Sequence, residues 1–353
     1  MKRLHQILTH VKQTRRQPDF ENLLKILKRQ VPSPPTPFEF TLNNTIYEQV
    51  TDHPVPAETD AMGWCRYLIE VFYKLGYDVA VIGGWHLNAL VFSMGEKRKQ
   101  YSKSLNEGAV ITDLASFEAY PWPELETAKL APLETMNSEL PDGMKLVCCG
   151  LEGVLEMAID LVGFENLCLL SCLQPELTQE IFDHIGCRIL EYYEHVVQFD
   201  SVAAIISNDE WGFKTQTMLS PDDLRRWVFP WHKKIVSAAH RVGKPAILHS
   251  CGNLEAVYDD IFDDMKFDGK HSFEDIIRPV ESAIVQFGDR IAIIGGIDMD
   301  DLASRSAEYI FKRTKMLVNL SLENGGVAIG SGNSIPEYVP TENYCAMLEA
   351  VLL

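Results

Sequence analysis

Short runs rich in β-branched and other apolar residues recur along the chain at 37–42, 78–84, 144–149, 202–207, 245–250, 266–271, 291–297 and 326–330, with helix-length stretches between them. Strands joined through a helix run parallel, because the crossover carries the chain back to the same end of the sheet. Eight such units in a row predict an α/β fold closed as a TIM-type (β/α)8 barrel rather than an open doubly wound sheet. The helix signals are sharp: Ser220-Pro-Asp-Asp supplies an N-cap, a first-turn proline and early acids, and Gly243 ends the same helix. Ahead of the barrel, Asp19 is placed to cap a helix carrying Leu23, Leu24 and Leu27, and Pro32, Pro34, Pro35 and Pro37 form a connector that cannot be helical. Residues 1–35 therefore read as an N-terminal helical extension and Pro-rich connector, and residues 36–353 as a single barrel domain. Residues 86–143 are too long for one crossover. Within them Gly108-Ala-Val-Ile-Thr-Asp predicts an inserted hairpin followed by a helix, an insertion after strand 2.

With 32 basic and 50 acidic side chains the net charge is −18, which argues against nucleic acid as a partner, since phosphate binding needs a basic surface. No apolar run approaches the roughly 20 residues of a membrane-spanning helix, and no long apolar segment follows Met1-Lys-Arg-Leu-His. The eight cysteines lack the spacing of a small disulfide scaffold, so a reduced, cytoplasmic setting is expected.

One strand carries a chemical signature. Pro245-Ala-Ile-Leu-His-Ser-Cys-Gly-Asn253 ends on His249 and Cys251, two residues apart and so on one side of a strand. An imidazole and a thiolate on a rigid strand suit zinc, with room for a third ligand and a substrate. A buried cysteine beside a hydrogen-bonded histidine is the ordinary alternative. In barrels of this kind chemistry gathers at the C-terminal strand ends. Those ends offer Glu39; Trp85 and His86; Asp209 and Glu210; His249, Cys251 and Asn253; His271; Asp298; and Ser331 with Asn333. About half are expected to be caps, as Asp298 before Asp300-Asp301 illustrates. Capping does not explain several His, Cys and carboxylate groups on one face.

His-Ser-Cys-Gly-Asn at 249–253, Ile293-Ile-Gly-Gly-Ile-Asp298 and the ending Gly330-Ser-Gly-Asn-Ser-Ile-Pro-Glu-Tyr-Val-Pro-Thr-Glu-Asn343 resemble the uroporphyrinogen decarboxylase superfamily, which includes cobalamin-dependent methyltransferases. The resemblance covers most of the chain and implies an eight-stranded βα barrel with an N-terminal extension. The decarboxylases hold substrate carboxylates with an Arg-Gln-Ala-Gly-Arg type stretch after the first strand. Phe38-Glu-Phe-Thr-Leu-Asn43 stands there instead, and Glu39 would repel such a substrate. Their Gly-His-Gly segment is replaced by Gly330-Ser331-Gly332.

The methyltransferase branch uses His-x-Cys after the fifth strand and a later cysteine as zinc ligands. The resemblance thus implies zinc at His249 and Cys251, with Ser331 where the third ligand would fall. His271 is the first replacement considered, and Glu210 the second. It also implies a zinc-dependent methyltransferase of one-carbon metabolism. Its methyl group would move between a corrinoid on a separate protein and a thiol or other small donor or acceptor. Asp209 or Glu210 would orient the acceptor or handle its proton, and Glu39, Trp85, His86, Asn253, Asp298, Ser331 and Asn333 would line the cofactor side. No Asp-x-His-x-x-Gly pattern of a cobalamin-binding domain occurs in the chain, so the corrinoid protein is a partner; a homodimer is left open. A lyase acting on a tetrapyrrole or small acid, and a non-catalytic corrinoid or tetrapyrrole binder, are the competing readings.

Overall fold

The structure is a computed structural model that describes residues 2–95 and 104–353. Among the described residues seven strands, β1 (Val79–Ile82), β2 (Lys145–Cys149), β3 (Val202–Asn208), β4 (Ala246–His249), β5 (Gly269–His271), β6 (Ala292–Ile294) and β7 (Val327–Ala328), form one sheet in sequence order. Every pairing between neighbours is parallel, the TIM-type α/β arrangement that the alternation of runs predicts.

The sheet separates two apolar clusters. One face carries Val79, Val81, Val147, Cys149, Ala204, Ile206, Ile247, Ala292, Ile294 and Ala328, packed in a single interior cluster with Phe38 and Phe40. These positions alternate along each strand, so Asn208, His249 and His271, two residues beyond Ile206, Ile247 and Gly269, continue the same face toward the C-terminal rim. The larger outer cluster lies between the sheet and its helices.

Of the eight predicted runs, 37–42 departs from expectation. It makes a single bridge, Pro37 to Ile329, supported by Phe38 N donating to Ile329 O and Ile329 N to Thr36 O, both at 2.9 Å. Proline has no N–H to extend a ladder. The predicted hairpin at 108–113 is likewise not formed: Val110 N and Ile111 N both donate to Leu161 O at 2.8 Å, and the expected helix follows at Leu114–Ala119. Residues 96–103 of that insertion lie outside the described residues.

Helix α1 (Lys2–Thr14) buries Leu4, Ile7 and Val11, and Arg3 pairs with Glu342 and Glu349 of the helix Thr341–Leu352. Helix α2 (Glu21–Leu27) begins where Asp19 Oδ1 accepts from Glu21 N at 3.1 Å. Its Leu23, Ile26 and Leu27, at the i, i+3, i+4 spacing of one helix face, join the interior cluster and fill the mouth opposite the polar rim.

Candidate metal centre

His249 ends β4 and His271 ends β5, at paired positions in the ladder. Beyond His249 the chain turns outward through Cys251 and Gly252. Gly252 has φ +82, and a Cβ there would lie 2.1–2.6 Å from Gly212 backbone atoms, so glycine is required for the two loops to cross. Asn253 N donating to Phe213 O at 2.8 Å locks the crossing. That close approach brings Glu210, on the loop after β3, against Cys251. The ligand atoms of Glu210, His249 and Cys251 all lie within 4.8 Å of one another.

His249 is buried, while Cys251 and Glu210 are half-buried at the rim. Burial, with the nearby His271 and Lys270, holds the His249 imidazole well below its ordinary pKa, so it is neutral with a lone pair to offer. Burial pushes the Cys251 thiol well above its usual range, and the adjacent Glu210 carboxylate adds to this. Burial also raises Glu210, against the hydrogen bond with Cys251 and with the Asp209 charge in support. Ser272 Oγ at 3.3 Å and Asn333 Nδ2 at 3.2 Å donate to the Cys251 sulfur. The Phe40 ring stacks on His249, centroids 4.4 Å apart at 19°. Lys270 is buried, its pKa lowered by burial to about 8, and its Nζ donates to Ser272 O at 2.6 Å and Ser250 O at 3.4 Å. Nitrogen, sulfur and oxygen donors from three side chains, with a fourth direction left for a substrate, fit zinc. A cation would also relieve the Cys251 thiol, which burial keeps protonated, and favour the ionised form of Glu210.

Other expected site residues are placed elsewhere. His271, the first choice for third ligand, is not in the converging set; its Nδ1 lies 2.7 Å from Nδ1 of His249. Asp209, expected at the acceptor, points behind the sheet. It is fully buried and accepts from Leu155 N and Glu156 N at the start of the helix Val154–Val162 and from His232 Nε2, each at 2.9 Å. Gly153 makes room for it, since a Cβ there would lie 2.1 Å from Asp209 Cγ. Asp298 caps the helix Met299–Ser304 through Asp300 N and Asp301 N, and Asn253 Oδ1 accepts from Glu255 N at 3.0 Å.

Trp85 and His86 line a cleft of about 410 Å³ with Trp64, Tyr47, Thr41 and Glu58, beside the centre because Trp85 packs edge-on against Phe40. Gly83 N faces His86 Nδ1 and Trp85 Nε1 faces Nε2, each at 3.1 Å. Burial lowers the His86 pKa to about 4. A neutral imidazole has one lone pair, so it satisfies one of these two donors. Phe40, Ser272 and His232 were not singled out by sequence reasoning. Their roles depend on which strands become neighbours.

Glu39 and Ser331 satisfy each other. Glu39 is 1% exposed; its Oε1 accepts from Ser331 N and its Oε2 lies on Ser331 Oγ, both at 2.7 Å, while Ser331 Oγ also contacts Asn333 O at 2.6 Å. A hydroxyl has one proton to give. Burial raises the Glu39 pKa to about 8, so at neutral pH Glu39 is protonated: it donates to Ser331, and Ser331 donates to Asn333. This carboxyl binds a proton in the folded chain that the unfolded chain has lost. Its stabilising contribution is full below about pH 4.5 and is lost as pH rises through about 8. Glu39→Gln removes the ionisation. The variant is expected to gain on the wild type by at most about 1.4 kcal/mol per pH unit across that window, read from urea unfolding at a series of pH values; parallel curves would refute the protonated pair.

The sequence matches the description "Uroporphyrinogen decarboxylase (URO-D)" over residues 111–352. No curated protein matches the chain. Among solved structures, a methyltransferase from Methanosarcina mazei shares the fold, with TM-score 0.68, 19% identity, and coverage of 94% of this chain and 97% of that one. An endo-β-1,4-xylanase from Gloeophyllum trabeum is similar at TM-score 0.41 and 12% identity, covering 65% of this chain and 81% of its own. With the family's sequence pattern matched across more than half of its length, the chain belongs to the uroporphyrinogen decarboxylase family.

Proposed function

We propose that this protein is a zinc-dependent methyltransferase that moves a methyl group between a corrinoid carried on a separate protein and a thiol or other small molecule. The observation that carries the reading is the convergence of Glu210, His249 and Cys251 at the C-terminal rim. Bound by these three residues, zinc supplies the Lewis acidity that lets an acceptor thiol ionise at neutral pH.

The chain's own residues do the rest. His249 binds through Nε2, held flat against Phe40. Cys251 gives up its proton on binding, so uptake weakens as pH falls. Ser272 and Asn333 fix the Cys251 sulfur by donating to it. The cleft walled by Trp64 and Trp85 receives the small molecule, with Phe40 between Trp85 and His249. The lyase reading has less support, because Glu39 and Ser331, where substrate carboxylates would be gripped, are spent on each other.

Gel-filtered protein is expected to hold about one zinc per chain and, with a small thiol such as 2-mercaptoethanol, to discharge free methylcobalamin, followed by its absorbance. Protein that neither retains zinc nor takes it up on titration, and leaves methylcobalamin untouched, overturns the proposal.

A further inference from the structure

We infer that His271 is a positioning residue for the metal centre: its Nδ1 accepts the Nδ1 proton of His249, which leaves the Nε2 lone pair of His249 turned toward Glu210 and Cys251. The inference rests on the functional reading above and assigns a task within that site to a residue outside the ligand set.

The two imidazoles face each other from adjacent strands at paired positions. Their Nδ1 atoms are 2.7 Å apart, with ring centroids 4.9 Å apart at 29°. Both rings are buried, and a contact of this length between two neutral imidazoles holds one proton. If His271 donated it, His249 would carry its own hydrogen on Nε2, the nitrogen on the Glu210 side, and could not ligate a metal. If His249 donates it, Nε2 is a bare lone pair and His271 carries its hydrogen on Nε2.

Three observations favour the second arrangement. His249 Nε2 is 3.9 Å from Glu210 Oε1, too far for a hydrogen bond that would hold a proton there. His271 Nε2 makes no full hydrogen bond, yet the Ser331 carbonyl flanks it and favours a hydrogen on that nitrogen. The Phe40 ring, stacked on His249, holds the imidazole plane and opposes a flip that would exchange its two nitrogens. A ligating histidine whose second nitrogen donates to an outer partner is the usual way in which tautomer and ring orientation are fixed. Here the outer partner is a second histidine instead of a carboxylate, so no extra negative charge is added to a site that already has Glu210 and Cys251.

The test is zinc affinity by chelator competition, in the wild type, His271→Leu and His271→Asn. Asparagine can place an acceptor oxygen near the position of Nδ1, whereas leucine fills the space without one. His271→Leu is expected to weaken zinc ~10–100-fold, and His271→Asn to recover most of the loss; equal affinity in all three proteins overturns the inference. Nitrogen-15 NMR of the imidazoles in metal-free wild type gives a second readout, independent of whether a variant folds. A bare His249 Nε2 supports the assignment, and a protonated one refutes it. Failure of the wild type to bind zinc counts against the functional reading, while the NMR result still decides the role of His271.

Discussion

Cys251→Ser is expected to strip the protein of zinc and of methyl transfer while leaving the fold intact. A serine hydroxyl does not ionise near neutral pH and is a poor ligand for a borderline-soft cation, so one of three donors is lost outright. The fall in affinity should exceed the ~10–100-fold that loss of an outer-shell partner costs. The fold should not notice, because the thiol sits on a half-buried loop beyond β4, contacted by Ser272 and Asn333, and serine can accept from both. Zinc content after gel filtration, the methylcobalamin assay and a urea melt check the three parts. Full metal and full transfer in the variant would remove Cys251 from the site.

Neighbouring carboxylates are expected to part company. Asp209→Ala should lower the unfolding free energy by several kcal/mol, because it leaves donors without an acceptor at about 1–3 kcal/mol each. Two helix-start amides and the His232 imidazole, all bonded to Asp209, lose their acceptor. Glu210→Gln should change stability by under about 1 kcal/mol, the ordinary range for a rim substitution, while zinc is lost. Urea unfolding of both variants measures the contrast. An Asp209→Ala protein as stable as wild type would show that the acceptors are replaceable, and the capping role would have to be given up.

Much of this was legible in the chain, for identifiable reasons. Seven of the eight predicted runs coincide with the observed strands, with only Asn208 of β3 falling outside its run, because buried parallel strands read as apolar runs with little else to imitate them. The run at 37–42 imitates one: Phe38 and Phe40 face the interior as a strand's residues would, but Pro37 withholds the main-chain donor. His249 and Cys251 were readable from their spacing. The choice between Asp209 and Glu210 was also within reach, since Asn208 continues the inward face of Ala204 and Ile206, and the residue two further on is Glu210. The position of His271 was not. Whether two strand-end histidines share a level depends on the register between β4 and β5, and a sequence prints each strand without its neighbour. The same limit hid the Glu39–Ser331 pair, whose members read separately as site residues.

That pair has a bearing on how the molecule is made. The sheet can be laid down in order of synthesis, since each strand pairs with the one made just before it. Glu39, however, must wait for Ser331, which lies 292 residues later. At a ribosomal rate of ~5–20 residues per second the interval is roughly 15–60 s. For that time Glu39 is without the amide and hydroxyl it bonds to, and the inner face of the sheet lacks its last strand, which makes this face the place where a nascent-chain chaperone has the most to cover.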